Sequence, residues 1–125
     1  HRHAQITAVS SAEMKDYLRQ ANALGLREVT IVTHSFELYH VDSIGERRGR
    51  VNRVNLGRMR ELCRFLREQS EQFEVDTCGA LGRRLRDGKE SAAPVDAMPR
   101  GRDVLKVRRL VEQAYKRFEA KVGWL

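Results

Sequence analysis

The chain has 125 residues, 41% of them hydrophobic, and this composition suits one small domain with its own core. It holds no run of about 18 apolar residues and no visible export signal, which argues against a membrane span and predicts a cytoplasmic location. Its 24 basic residues outnumber 17 acidic ones, and the net charge of +7 can attract anionic polymers.

The first third of the chain predicts a strand, a helix and a second strand. Residues 5–9 favour a short strand, and Ser10 with Glu13 three places later is the signature of a capping box that opens a helix. Gly25 is placed to end that helix. The run Val29–Thr33 holds five β-favouring residues and predicts a buried strand. Two strands joined by a helix within roughly 30 residues form a βαβ unit, which implies a parallel pair.

The middle of the chain predicts a long loop and further short elements. A loop of roughly 16 to 20 residues spans 35–52, and loops of that length are usually functional or mobile. Asn55 can cap a following amphipathic helix. The run 73–77 predicts an edge strand, and 77–85 predicts one or two helical turns. Residues 86–101 shift toward Gly, Ser, Ala, Pro and charge, which favours a linker or flexible loop.

The clearest helix is predicted at the carboxyl end, within residues 102–125. Its apolar residues recur at intervals of three and four and form a stripe: Val104, Val107, Leu110, Val111, Ala114, Tyr115, Phe118 and Val122. A stripe of this kind is typical of a core-facing surface, so we expect the helix to pack on the same domain. A partner-binding or membrane-surface role is the less favoured interpretation.

His34 directly follows the second predicted strand, and it is the first residue there that can exchange a proton near neutral pH. In barrels and open α/β sheets, ligands bind at the carboxyl ends of the strands. His34 is therefore a candidate catalytic residue. The competing interpretation is a histidine that only caps or hydrogen-bonds a loop.

Two stretches of the chain resemble the carboxyl-terminal part of polysaccharide deacetylases, carbohydrate esterases built on a distorted (β/α) barrel. The first runs from Gln5-Ile6-Thr7-Ala8-Val9 through Thr33-His34-Ser35-Phe36-Glu37-Leu38, and the second is Arg58-Met59-Arg60-Glu61-Leu62-Cys63-Arg64-Phe65-Leu66. The similarity covers roughly residues 5–85, and we assign residues 1–85 to the barrel part that it implies. It implies an α/β fold in which the βαβ unit is part of a partial (β/α) barrel, followed by the C-terminal amphipathic helix.

The resemblance implies hydrolysis of an N-acetyl group on a sugar, with an acetylated glycan as substrate. In that chemistry a metal-activated water attacks the carbonyl, and His34 protonates the departing amine. Val32 stands two places before the histidine, where the family usually has leucine, and would help to shape the acetyl pocket with Ser35 and Glu37. Glu37 could orient the imidazole, bind a sugar hydroxyl, or remain an exposed loop carboxylate.

The family's metal-binding aspartate, paired histidines and catalytic aspartate belong to motifs that precede this region, and nothing in this chain matches them. We therefore expect a fragment whose partner is the upstream part of the barrel or a second chain, and a divalent metal such as zinc only in a complete enzyme. Because strands cut from a barrel leave open edges, the isolated chain should show no turnover and should self-associate, as a homo-oligomer, through strand edges or the C-terminal stripe.

Two other sets of residues were candidates for metal or redox chemistry. Cys63 and Cys78 have no metal-ligand spacing with a nearby histidine and predict buried free thiols in a reducing compartment. A zinc site of His1, His3 and His34 is less favoured, because ordering a free end costs entropy before any metal binds.

A second hypothesis is a non-catalytic binding or assembly module that holds an anionic polymer. Four loop arginines would carry it: Arg47, Arg48, Arg50 and Arg53. No aromatic residues interleave with them, and there is no helix-turn-helix or zinc-finger spacing, so nucleic acid is not a favoured partner. The simpler interpretation of these arginines is a solvated surface.

Overall fold

The computed structural model describes residues 4–41, 49–88 and 97–122. These residues form a mixed α/β structure that is mostly helical, with one two-stranded antiparallel sheet. The elements in chain order are α1 (Ser11–Ala23), a 3₁₀ helix (Ser35–Leu38), β1 (Tyr39–Val41), β2 (Gly49–Val51), α2 (Arg53–Glu68), α3 (Cys78–Arg86) and α4 (Asp103–Val122). The partial (β/α) barrel that the sequence predicts is not seen in this part of the chain.

Helix α1 begins and ends where the sequence predicts. The Ser10 N–H donates to the Glu13 carboxylate at 2.9 Å, and the Glu13 N–H donates to the Ser10 hydroxyl at 3.3 Å, which completes the capping box. Gly25 has a φ of 69°, the left-handed conformation that ends a helix most readily at glycine.

The two strands predicted on either side of α1 are reduced to a single parallel bridge between Gln5 and Val32. The Val32 N–H donates to the carbonyl of Ala4 at 2.9 Å, but the chain turns directly after Gln5, where the Ala8 N–H returns to the Gln5 carbonyl. The predictions of a strand over 5–9 and of a buried strand over 29–33 are therefore wrong. The β-favouring run remains extended but has too short a neighbour to build a ladder.

The segment 35–52, predicted as a loop, contains the 3₁₀ helix at its start and the two paired strands β1 and β2. Strands β1 and β2 pair with Tyr39 opposite Val51 and His40 opposite Arg50. Asn52, rather than the predicted Asn55, caps α2: its side chain accepts the Asn55 N–H at 3.1 Å. The cap lies at Asn52 because its own N–H is bonded to the Leu38 carbonyl, which holds that residue at the end of the hairpin.

The apolar core lies between α1 and α2. Its buried members are Ile6, Met14, Leu18, Leu62 and Phe65. Val29 and Ile31 of the extended segment pack against this cluster, and so does Phe73, whose ring lies 5.7 Å from that of Phe65. The core thus fixes the segment that leads into His34.

The segment after α2 differs in part from expectation. Residues 73–77 form no strand, whereas the predicted helical turns are confirmed as α3, which Thr77 caps by accepting the Ala80 N–H at 3.1 Å. Cys63 and Cys78 are free thiols as predicted, but both are exposed, so the prediction that they are buried is wrong. Half of the linker predicted over 86–101, residues 89–96, lies outside the described residues.

Helix α4 is confirmed, but its packing is the reverse of the prediction. The large apolar residues of the stripe from Val104 to Phe118 are 53–72% exposed. The opposite face is held by ion pairs: Arg109 binds Glu13 at 2.7 Å, and Glu112 binds Arg58 at 2.8 Å. Periodicity revealed an apolar face but could not tell which way that face points. Within the described ranges, no helix is both long and apolar enough to cross a membrane.

Candidate functional site around His34 and Glu37

His34 lies at the end of the extended segment and immediately before the 3₁₀ helix. Its backbone is extended, with φ −118° and ψ 142°, and its side chain is 50% exposed. The imidazole stacks on the ring of Phe36, with centroids 5.0 Å apart and an interplanar angle of 22°. The stacking limits the orientations of the imidazole while leaving it accessible to a ligand.

Glu37 provides the most strongly hydrogen-bonded carboxylate near His34. One oxygen, Oε1, accepts from Gln5 Nε2 at 2.6 Å and from Thr7 Oγ1 at 3.1 Å. The other, Oε2, accepts the His34 N–H at 3.0 Å and the Thr33 hydroxyl at 3.4 Å. This single side chain therefore ties the turn after the parallel bridge to the segment that carries His34.

The Glu37 carboxylate is held in its ionised form. Burial raises its pKa, but the hydrogen bonds from the His34 N–H, the Thr7 hydroxyl, the Gln5 amide and the His34 side chain together outweigh that effect and lower the pKa below its ordinary value. Nδ1 of His34 lies 3.5 Å from Glu37 Oε1, and the pair becomes an ion pair whenever the imidazole is protonated.

These contacts favour one of the roles that the sequence left open for Glu37, the orientation of its neighbours. A carboxylate has about four lone-pair sites, and four donors other than the imidazole already occupy them. Its side chain is also only 11% exposed, so it is not an exposed loop carboxylate. Glu37 is thus arranged to orient its neighbours, whereas Val32 and Ser35 are exposed beside His34 and free to contact a ligand.

Two buried polar side chains of helix α2 bind backbone carbonyls next to the site. Arg58 is 5% exposed and donates to the carbonyls of Ile6 at 3.0 Å and Thr7 at 3.3 Å. Asn55 donates its side-chain amide to the Glu37 carbonyl at 2.7 Å. The turn and the 3₁₀ helix are therefore both anchored on one face of α2.

Sequence reasoning missed the residues that hold the site together: Gln5, Thr7, Asn55 and Arg58. For two of them a signal was present. Asn55 and Arg58 continue, at intervals of three and four, the stripe that carries Leu62 and Phe65, and polar residues on a buried stripe require buried partners. Gln5 and Thr7 carried no such signal, because their partner lies 30 or more residues away.

Helix α4 adds a cation near the same region. The pKa of Lys116 is lowered, first by burial and then by the charge of Arg58, while Glu37 acts in the opposite direction. Lys116 follows Glu112 by one turn, so it lies on the face of α4 that meets Arg58. Arg58 and Lys116 are therefore close enough for their positive charges to repel each other.

Two of the four arginines of the second hypothesis lie among the described residues. Arg50 lies in β2 and Arg53 opens α2, whereas Arg47 and Arg48 fall outside the described residues. Arg83 and Arg86 are exposed on α3, and Arg84 pairs with Asp76.

The residues described here do not fit a metal site. Among 4–41, 49–88 and 97–122, no group of three or more His, Cys, Asp or Glu side chains could hold an ion. His1 and His3, which would complete the zinc site weighed above, lie outside these ranges.

Comparisons with models of known protein families, with curated proteins and with solved structures find no match. The resemblance to polysaccharide deacetylases therefore stays a prediction from the two sequence stretches named above.

Proposed function

We propose that this chain is the carboxyl-terminal portion of a metal-dependent polysaccharide deacetylase-like hydrolase, and that His34 is its general acid. The observation that carries the proposal is the contact of an exposed imidazole with an ionised, fully hydrogen-bonded carboxylate at the end of an extended segment. The proposed substrate is an N-acetylated sugar of a glycan. The upstream part of the barrel would supply the groups that this chain lacks.

The geometry supports a division of labour between the two side chains. With Nδ1 turned toward Glu37, the other ring nitrogen, Nε2, is left to donate a proton to the departing amine. The Glu37 carboxylate lies 3.5 Å from Nδ1, and the stacked ring of Phe36 restricts the rotation of the imidazole. Glu37 is thus a positioning residue that acts through His34.

Val32 and Ser35 would line the acetyl pocket beside His34. Val32 is 43% exposed two places before His34, which supports a contact with the acetyl methyl group. Ser35 is exposed at the first position of the 3₁₀ helix and can donate to a sugar hydroxyl.

The test measures acetate release from N-acetylglucosamine oligomers by the full-length gene product that carries this segment, with added divalent metal. His34→Ala and His34→Gln should each lower kcat by about a hundredfold or more, since positioned acids typically contribute that much. Arg64→Ala, an exposed change on α2, is the matched control and should leave kcat unchanged. A loss below tenfold for both histidine variants, or an inactive wild-type protein, contradicts the proposal.

Exposed arginines favour one second candidate, a site for an anionic polymer. The sequence assigns this site to Arg47, Arg48, Arg50 and Arg53. Among the described basic residues, Arg53, Arg83 and Arg86 are exposed, and the chain carries a net charge of +7. Heparin binding should then weaken steeply between low and high salt, because binding to sulfate groups releases counterions. Weak binding that does not change with salt removes this candidate.

A further inference from the structure

Helix α4 presents two opposite faces. The residues that face the domain recur at intervals of four, three and four: Leu105, Arg109, Glu112 and Lys116. The residues that face away recur at intervals of three and four: Val104, Val107, Val111, Ala114 and Phe118. At 100° per residue, the centres of these two sets lie on opposite sides of the helix.

The outward set is the seam of a heptad repeat. Val104, Val111 and Phe118 take one core position of the heptad, and Val107 and Ala114 take the other. Leu110 and Tyr115 widen the seam on its two sides, and both are more than half exposed. A continuous apolar strip along a helix about 30 Å long is characteristic of an interaction surface rather than of a solvated one.

The charges that flank this seam favour a second copy of the same helix in antiparallel order. Asp103 lies at the start of α4 and Arg117 near its end, on the same border of the seam. When two such helices pair antiparallel, Asp103 of one lies beside Arg117 of the other, and the two-fold symmetry makes this contact twice. Parallel order would instead bring the two basic carboxyl ends together, with their helix dipoles aligned.

Nothing in the attachment of α4 to its own domain opposes this pairing. Arg109 and Glu112 are engaged on the opposite face, so a dimer would leave both ion pairs intact. Asp103 already contacts Lys106 on its own helix, but that pair is exposed and contributes little.

We propose that the outward face of α4 is a homodimer interface, in which two copies of the helix pair antiparallel along the seam from Val104 to Phe118. This inference is independent of the proposed hydrolase activity and concerns a different face of the molecule from His34.

Sedimentation equilibrium of the 125-residue chain over a hundredfold range of concentration tests the proposal. The wild-type chain should show a reversible monomer–dimer equilibrium. Val111→Glu, at the middle of the seam, should weaken dimerisation tenfold or more, because it buries like charges at the centre of the contact. Glutamate favours helix more than valine does, so the helix itself should persist, as circular dichroism would verify.

The matched control is Val75→Glu, the same substitution at a valine that is 68% exposed outside α4. It should leave the dissociation constant unchanged. A wild-type chain that stays monomeric over the whole range overturns the proposal. So does a dimer that Val111→Glu does not weaken, because its interface would then lie elsewhere, for example at the strand edges.

A charge exchange tests the orientation. Asp103→Arg and Arg117→Asp should each weaken dimerisation about threefold or more at low salt, since two exposed pairs are lost in each case. The double variant restores both pairs and should recover most of the loss. Failure of the double variant to recover would overturn the antiparallel order.

Discussion

Helix α2 contacts α1 and α4 through different kinds of interaction. Toward α1, helix α2 presents Leu62 and Phe65, which are buried in the apolar cluster. Toward α4 it presents Arg58, a buried side chain whose guanidinium binds Glu112. Helices α1 and α2 are thus joined by apolar contact, whereas α4 is joined to both by ion pairs and turns its apolar residues outward.

This difference shows that amphipathicity alone does not determine which face of a helix is buried. Burial of the polar face of α4 is tolerated because the two buried arginines have carboxylate partners: Arg109 has Glu13, and Arg58 has Glu112. The candidate site lies where the two kinds of attachment meet, since Arg58 also binds the carbonyls of the turn that contacts Glu37.

Replacing Phe by Ala should lower the free energy of unfolding much more in the core than on α4. Phe65→Ala removes a ring that is 4% exposed and should lower the free energy of unfolding by about 3–5 kcal/mol. Phe118→Ala removes a ring that is 63% exposed on α4 and should change it by less than about 0.5 kcal/mol. Urea denaturation at concentrations below any self-association measures both. Equal losses would show that the outward face of α4 is packed like the core.

The ion pairs give the next largest effect. Arg109→Ala leaves the buried Glu13 carboxylate without its cation and should cost about 3 kcal/mol. Hydrogen exchange should show that α4 loses protection while α1 and α2 keep theirs. Arg108→Ala removes an exposed arginine from the same helix and should cost less than about 0.5 kcal/mol. If the two variants cost the same, the attachment of α4 does not depend on the buried pair.

The local features of the fold could be predicted from the sequence, but the pairings across the chain could not. The capping box at Ser10 and the periodicity of α4 involve residues within one or two turns of each other, so the pattern alone predicts them. The strand predicted over Val29–Thr33 needed a neighbouring strand, and the turn after Gln5 leaves only one bridge.

The same distinction holds for the candidate site. The position of His34 after an extended run was visible in the sequence, and so was the proximity of Glu37. The hydrogen bonds that hold Glu37 could not be predicted, because Gln5 and Thr7 precede α1 in the chain whereas Glu37 follows it. The exposure of Cys63 and Cys78 was missed for a related reason: a helical pattern does not show which parts of a helix surface are left uncovered.

Glu37 should give a smaller effect that depends on pH. Its pKa is lowered in the folded chain, so its stabilising effect is present above the unfolded pKa of about 4.3 and is lost as the pH falls through the folded pKa. Glu37→Gln should therefore cost about 1–2 kcal/mol at neutral pH, where the charged acceptor is lost, and the difference should shrink toward acid pH. Urea denaturation of both proteins across this range measures it. A difference that stays constant with pH would contradict an ionised Glu37 as the stabilising group.

The most direct test of the proposed function is a double-mutant comparison of kcat for acetate release by the full-length gene product. If Glu37 acts through His34, Glu37→Gln should lower kcat by about tenfold or more on its own. It should have no further effect once His34→Ala is present, because residues that act as one unit are not additive. The kcat of the double variant should therefore match that of His34→Ala within about threefold. A double variant whose loss equals the product of the two single losses would contradict it.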